Sequence, residues 1–330
     1  MPRQARVSMA MVAARAGVSG QTVSRVANDS PHVDPDTRAR VEQAMAELGY
    51  RPNRAARALR TGRSRTIGLV ATTLATVGNS RMLQAVAEAA SARGYALTVV
   101  TLGADGAIAE AFERLHDQGV DGAIVLNEAT ALVGQHADVA GLRLVIVDSP
   151  PDPRFGVIAI DHAAGARAAV RHLLDQGHRA VHHVAGPAGS YAAAERERGW
   201  REELEAAGIR ASTPLRGDWS SQSGGALAAS LPADATAVFV ANDQMALGVL
   251  HALADHGRAV PGDVSVVGFD DVADAAQYRP ALTTVRQDFG ALGEQAVTQL
   301  IAQIEQDAAP SDLRLPTALI TRDSVTAPRA

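Results

Sequence analysis

From residue 66 onward, short runs rich in Val, Ile and Leu alternate with amphipathic stretches, and no other feature limits the fold so tightly. Candidate strands lie at 67–71, 96–100, 122–126, 144–147, 157–160, 181–184, 237–240 and 264–268. The segments between them carry helices of roughly 10 to 18 residues. Such alternation pairs its strands in parallel, and both faces of the sheet must then be covered by helices. About 250 residues are too many for one sheet of this kind, so two α/β units side by side are expected. The fold class is α/β, and open α/β sheets place ligands outside the carboxyl ends of their strands.

The first 66 residues do not follow this pattern and differ in charge. They hold 12 Arg against 5 acidic residues, a net of +7, whereas the remainder holds 19 Arg against 31 acids, a net of −12; together these give the −5 of the whole chain. A compact basic head on an acidic body suits a module that binds a polyanion, nucleic acid above all. Every basic residue is arginine, which excludes lysine Schiff-base chemistry and the lysine of a phosphate-binding loop. With no cysteine there are no disulfides or thiolate metal sites, as in a reducing compartment. The apolar stretch at 9–14 is cut by Arg15, too short for a signal peptide, and no run approaches the roughly 18 apolar residues of a membrane span. A cytoplasmic protein is expected.

The head reads as three helices. Ser8 can cap a first helix carrying Val12, Ala13 and Ala16, closed by Gly17. Ser19 caps a second, 20–28, and the short connection forces the steep crossing of a helix-turn-helix. Asp34 followed by Pro35 opens a third, with Val41, Ala44, Met45 and Leu48 on one stripe and Gly49 at its end. Gln21, Thr22, Ser24 and Arg25 are left on the outer face of the second helix, where side chains can reach base edges in a major groove. Asn53 and Gly62 bound a further helix of about eight residues, too short to be stable alone in water. Its Arg54, Arg57 and Arg60 suit phosphates, and Leu59 is an apolar side chain with no nearby core, a candidate wedge for a minor groove.

The run Ala13-Ala14-Arg15-Ala16-Gly17-Val18-Ser19-Gly20-Gln21-Thr22-Val23-Ser24-Arg25-Val26, with Tyr50-Arg51-Pro52-Asn53 after it, resembles the head of LacI-type transcriptional regulators, and the similarity continues to nearly the end of the chain. The resemblance implies a helix-turn-helix head at 1–52 and a hinge helix and linker at 53–64. A two-lobed periplasmic-binding-protein-like core of parallel sheets flanked by helices, 65–330, follows. Its amino lobe is about 65–160 plus 290–320 and its carboxyl lobe about 161–289. It further implies a homodimer on near-palindromic double-stranded operator DNA, contacted by Ser19, Gln21, Thr22, Ser24, Arg25, Asn53, Arg54, Arg57 and Leu59. The family member most similar in pattern has a tyrosine where this chain has Gly20, so operator sequence does not carry over. That relative's extra leucine heptads would lie past Ala330, so dimers rather than tetramers are expected.

Residues at strand ends are candidates for effector contacts. Asp148, Asn242, Asp243, Asp270 and Asp271 each follow a candidate strand, and Asp243 reads as a helix N-cap. Carboxylates and amides exchange hydrogen bonds with sugar hydroxyls, and Trp219 offers a face for a pyranose. By the resemblance, Asp148, Arg196, Trp219, Asn242, Asp270, Gln287 and Phe289 stand at effector-contacting positions, within runs such as Gly217-Asp218-Trp219-Ser220 and Ala241-Asn242-Asp243-Gln244-Met245-Ala246-Leu247-Gly248. Thr76, Met82, Ile160 and Ala192 replace a leucine, an isoleucine, a phenylalanine and a serine of that relative. A galactoside-like sugar that lowers operator affinity is the effector this implies; the planar fork of Arg196 equally suits a carboxylate or phosphate.

Rival readings are a sugar-binding protein or a glycoside-acting enzyme without DNA function, with Asp148 and Asp270 as a carboxylate pair. Neither needs a basic head. Gly186-Pro187-Ala188-Gly189 lacks the dinucleotide-binding spacing, and His182 and His183, adjacent on a strand, point to opposite faces, so no catalytic residue, metal or cofactor is assigned.

Overall fold

The computed structural model describes residues 7–27, 30–50, 62–102, 108–129 and 141–329. The chain divides into two compact units, Met1–Arg65 and Thr66–Ala330.

The first unit holds α1 (Met9–Ala16), α2 (Gly20–Ala27) and α3 (Pro35–Leu48). Each begins where a side-chain oxygen can take an otherwise unpaired helix amide. Ser8 Oγ accepts from Met11 N at 3.3 Å, Ser19 Oγ from Thr22 N at 3.1 Å, and Asp34 Oδ2 from Thr37 N at 3.0 Å, with Pro35 in the first turn of α3. Gly17 and Gly49, both left-handed, end α1 and α3. The three helices bury Val12, Ala13, Val23, Val26, Val41 and Ala44 against one another, and Met45, Leu48 and Tyr50 close the core. The last residue expected for α2, Asn28, and the hinge positions 53–61 lie outside the described residues.

The second unit has two lobes, each built on a six-stranded sheet. In the first lobe run β1 (Thr66–Ala71), α4 (Val77–Ala92), β2 (Ala96–Thr101), α5 (Ile108–Asp117), β3 (Gly122–Leu126), β4 (Arg143–Val147) and β5 (Gly156–Ile160). The second lobe holds α6 (His162–Asp175), β6 (His182–Ala185), α7 (Tyr191–Ala206), β7 (Leu215–Arg216), α8 (Ser221–Ala228), β8 (Ala237–Val240), α9 (Asp243–Asp255), β9 (Ser265–Asp270) and β10 (Thr283–Arg286). The chain then returns to the first lobe as α10 (Phe289–Gln306), packed on α4, and β11 (Leu313–Leu315), and crosses back as β12 (Ala318–Ile320).

The sheet orders are β11-β5-β4-β3-β1-β2 and β12-β10-β9-β8-β6-β7. All pairs are parallel except β10 with β12. Helices on both faces bury β3, β5, β8 and β9 completely, which is why these strands read as continuous apolar runs. The eight expected strands are present within two residues at each end. β7, β10, β11 and β12 were not expected: each is two to four residues long. Ala318–Ile320, expected with the amino lobe, pairs antiparallel with Thr284–Arg286 of the other lobe, because the chain crosses between lobes a third time. At the crossings Asp161 N donates to Leu315 O at 2.8 Å, tying two of the linking segments together.

Candidate functional site

A cleft opens between the carboxyl ends of the two sheets, where open α/β sheets place their ligands. Its lining includes all seven residues expected to meet an effector: Asp148, Arg196, Trp219, Asn242, Asp270, Gln287 and Phe289. Asp148 follows β4, and Phe289 opens α10; the other five come from the second lobe or its crossing.

The polar floor is a chain of buried charged groups. Asp148, in a left-handed conformation after its strand, accepts at Oδ1 from Ile160 N at 3.1 Å. His162 Nε2, from α6 of the opposite lobe, lies 3.0 Å from the same oxygen, off the axis of a regular hydrogen bond. Burial pushes the Asp148 carboxyl up, but His162, the Ile160 amide and Arg196 together hold it below the usual carboxylate range. Arg196 Nε donates to His162 Nδ1 at 3.4 Å, so the ring links the guanidinium to Asp148. Arg196 Nη1 donates to Ala241 O and lies 3.5 Å from Asp270 Oδ1, and Gln287 Nε2 donates to that same oxygen. Burial nevertheless raises the Asp270 carboxyl, against the pull of Arg196 and Gln287.

Aromatic faces flank this chain. The Arg196 guanidinium lies 3.9 Å from the centroid of Phe269 and 5.5 Å from that of Trp219. The Trp219 ring rests against Gly186, where a Cβ would come within 2.3 Å of it; only glycine lets the indole lie there. Asn242 caps α9, its Oδ1 accepting from Met245 N at 2.9 Å while Nδ2 donates to Trp219 O at 3.1 Å. One N–H and one lone pair of the amide remain for a ligand. The first-lobe wall is apolar, with Met82, Phe289 and Leu292 beside Thr76 and Gly78. Val77 N donates to Gln244 Oε1 at 3.4 Å, joining the lobes at the cleft edge.

Two expectations are corrected. Asp243 is not the cap of α9; Asn242 is, and Asp243 is turned inward, its Oδ2 accepting from Val272 N at 2.8 Å and its Oδ1 from Thr284 Oγ1 at 2.5 Å. Ile160 does not line the cleft but packs in the first lobe's core. His162, Asn127 and Ser190 were missed. Asn127 immediately follows β3 and His162 follows β5 by two residues, so the strand-end rule that singled out Asp148 would have found both; Ser190, the cap of α7, had no such signal.

In the head, Ser19, Gln21 and Arg25 are exposed at the start and outer face of α2, while Thr22 and Ser24 are half-buried. Ser19 Oγ is already engaged, 2.9 Å from Thr22 Oγ1 as well as accepting from Thr22 N. Asn53, Arg54, Arg57 and Leu59 lie outside the described residues.

Among the described residues no group of three His, Asp or Glu side chains could hold a metal, and no helix is long and apolar enough to cross a membrane. A helix-turn-helix unit joined to a two-lobed cleft domain defines a ligand-responsive transcription regulator. Residues 6–53 match the model of bacterial regulatory proteins of the lacI family, and 170–325 match a periplasmic binding protein-like domain. The chain is 37% identical to the lactose operon repressor of Escherichia coli (strain K12) over 332 residues, 98% of this chain and 91% of that protein. A crystal structure of the lac repressor dimer bound to operator and the anti-inducer ONPF superposes with a TM-score of 0.87 at 36% identity, covering 98% of this chain and all of that one. A complex of the transcriptional regulator CelR with cellobiose gives 0.74 at 36% identity, covering 97% of this chain and all of that one. The chain belongs to the LacI family of bacterial regulatory proteins, and is a DNA-binding transcriptional repressor with an effector domain, not an enzyme.

Proposed function

We propose that this repressor binds a near-palindromic operator as a homodimer and that a small sugar in the cleft, of galactoside-like form, lowers its operator affinity. The carrying observation is that one cleft draws Asp148 and Phe289 from the first lobe and Arg196, Trp219, Asn242 and Asp270 from the second. A pyranose stacked on Trp219 and held by carboxylates of both lobes binds one lobe arrangement better than another. By linkage, sugar affinity and DNA affinity then alter one another by the same factor. The lac repressor dimer bound to operator supports the dimer and the DNA partner.

On this reading Gln21, Thr22, Ser24 and Arg25 meet base edges, with Ser19 at the start of the helix. Asn53, Arg54, Arg57 and Leu59 meet the same DNA, with Leu59 wedging into the minor groove. The protein works where its DNA is, in the cytoplasm. A second reading, a β-linked disaccharide such as cellobiose, is favoured by the likeness to the CelR complex. Thr76, Met82 and Ala192 line the cleft where the lac-type relative differs, and they bear on that choice.

Deletion of residues 1–62 tests the division of labour. Calorimetry with methyl β-D-galactopyranoside and with cellobiose should give the same affinity for the truncated and full-length proteins, while DNA binding is lost. Failure of both sugars would overturn the effector class, and DNA binding retained by the truncated form would overturn the role of the head.

A further inference from the structure

The turn after β9 is conformationally demanding. Asp270 has φ 117° and Asp271 φ 50°, both in the region non-glycine residues avoid, and this corner aims the Asp270 carboxyl into the cleft. Something must hold it. On the outer side Asp271 accepts from Arg286 Nε and Arg322 Nη2, each at 2.6 Å. On the inner side stands the fully buried Asp243, which does not line the cleft: it binds Val272 N, just past the corner, and Thr284 Oγ1 of the neighbouring strand. Gly268, two residues before Asp270, gives it room; a Cβ there would lie 2.3 Å from Asp243 Oδ1.

We propose that Asp243 is a positioning residue for the effector site: bridging β10 and the segment after β9, it fixes the Asp270–Asp271 corner and so sets where Asp270 meets Arg196, Gln287 and a bound sugar. The proposal rests on the effector reading above. The groups facing Asp243 favour its neutral form. Burial, then the negative charges of Asp270 and Asp271, raise its carboxyl to about 8, against the donation of Thr284 and Val272; Tyr278, whose own hydroxyl is pushed up to about 12, brings no cation. Asp243 therefore holds the corner as a carboxylic acid at neutral pH. Above pH 8 it becomes a second buried anion beside Asp270 and loosens the corner.

If the protonated form alone is competent, its fraction falls about tenfold between pH 7 and pH 9, and apparent sugar affinity falls by the same factor. The test compares full-length wild type, Asp243→Asn and Thr284→Val by calorimetry with methyl β-D-galactopyranoside and cellobiose at both pH values. In parallel, Trp219 fluorescence is titrated with pH in a Trp200→Phe background. Asp243→Asn mimics the neutral acid: it should bind sugar within about threefold of wild type at pH 7 and keep that affinity at pH 9. Thr284→Val should weaken binding at pH 7. The Trp219 signal should titrate near pH 8 in wild type and not in Asp243→Asn. The same pH dependence in wild type and Asp243→Asn would overturn the proposal. A Trp219 titration abolished by Asp243→Asn, without binding of either sugar, would uphold the corner and reject the sugar.

Discussion

The chemistry of the cleft is set by few side chains, and the two acidic groups facing it differ because their neighbours differ. Asp148 has His162 beside it and stays low; Asp270 shares Arg196 with Ala241 O and His162, and is raised. Removing the Asp270 carboxyl leaves Gln287 and Arg196 without that partner in a buried place. Asp270→Ala should therefore abolish the effect of sugar on operator affinity while DNA affinity without sugar stays within about threefold, as read by fluorescence anisotropy. Asp243 has a consequence for stability as well. Its carboxyl moves from 3.8 to about 8 on folding, so between those values the native state keeps a proton that the unfolded chain releases. That group's contribution to stability is complete at low pH and is lost progressively as pH rises from about 4 to about 8, levelling off above. Denaturant melts of Asp243→Asn against wild type should show this slope removed; parallel curves would contradict it.

At the scale of elements, capping explains most of the helix starts, and one cap serves two tasks. Ser19 caps the start of α2 and, on the proposed reading, also meets DNA there. Ser19→Ala should destabilise the head by about 1 kcal/mol, whereas Ser19→Gly, a tolerated cap, should cost only a few tenths. Equal losses of operator affinity in the two variants would assign the hydroxyl to DNA; a loss in Ser19→Ala alone would leave it a cap. Similar reasoning explains what the sequence made legible. The long apolar strands and the capped helices declare themselves through local chemistry, and so does the strand-end position of Asp148, Asn242 and Asp270. The missed strands are two to four residues long, and β12 forms because the chain crosses lobes again, which no local pattern records. Asp243 shows the limit of capping statistics. Two adjacent residues, Asn242 and Asp243, both suit a cap, and what decides between them is Val272 and Thr284, 29 and 41 residues away. Gly186 is another long-range case, a small residue in a loop whose role is to let Trp219 lie flat.

For the whole molecule, the charge asymmetry of the sequence matches a division of work. The basic head is a small helical unit with its own core, and the acidic remainder is a two-lobed receptor whose cleft is lined from both sides. Any ligand that bridges Asp148 and the second-lobe residues is coupled to the angle between lobes, and a dimer can pass that angle to paired heads. On the proposed reading, the choice between galactoside and other effectors turns on Thr76, Met82 and Ala192 in the cleft lining, and the choice of operator on Gln21 and Arg25 beside Gly20. In vitro selection of random duplex DNA by the purified protein, with a parallel arm containing methyl β-D-galactopyranoside, puts both halves of the account to one test. The sugar-free arm should yield a palindrome with half-sites about one helical turn apart, and the sugar arm should fail to enrich it. Enrichment of the same palindrome in both arms would contradict induction by this sugar, and no enrichment in either would contradict the repressor mechanism itself.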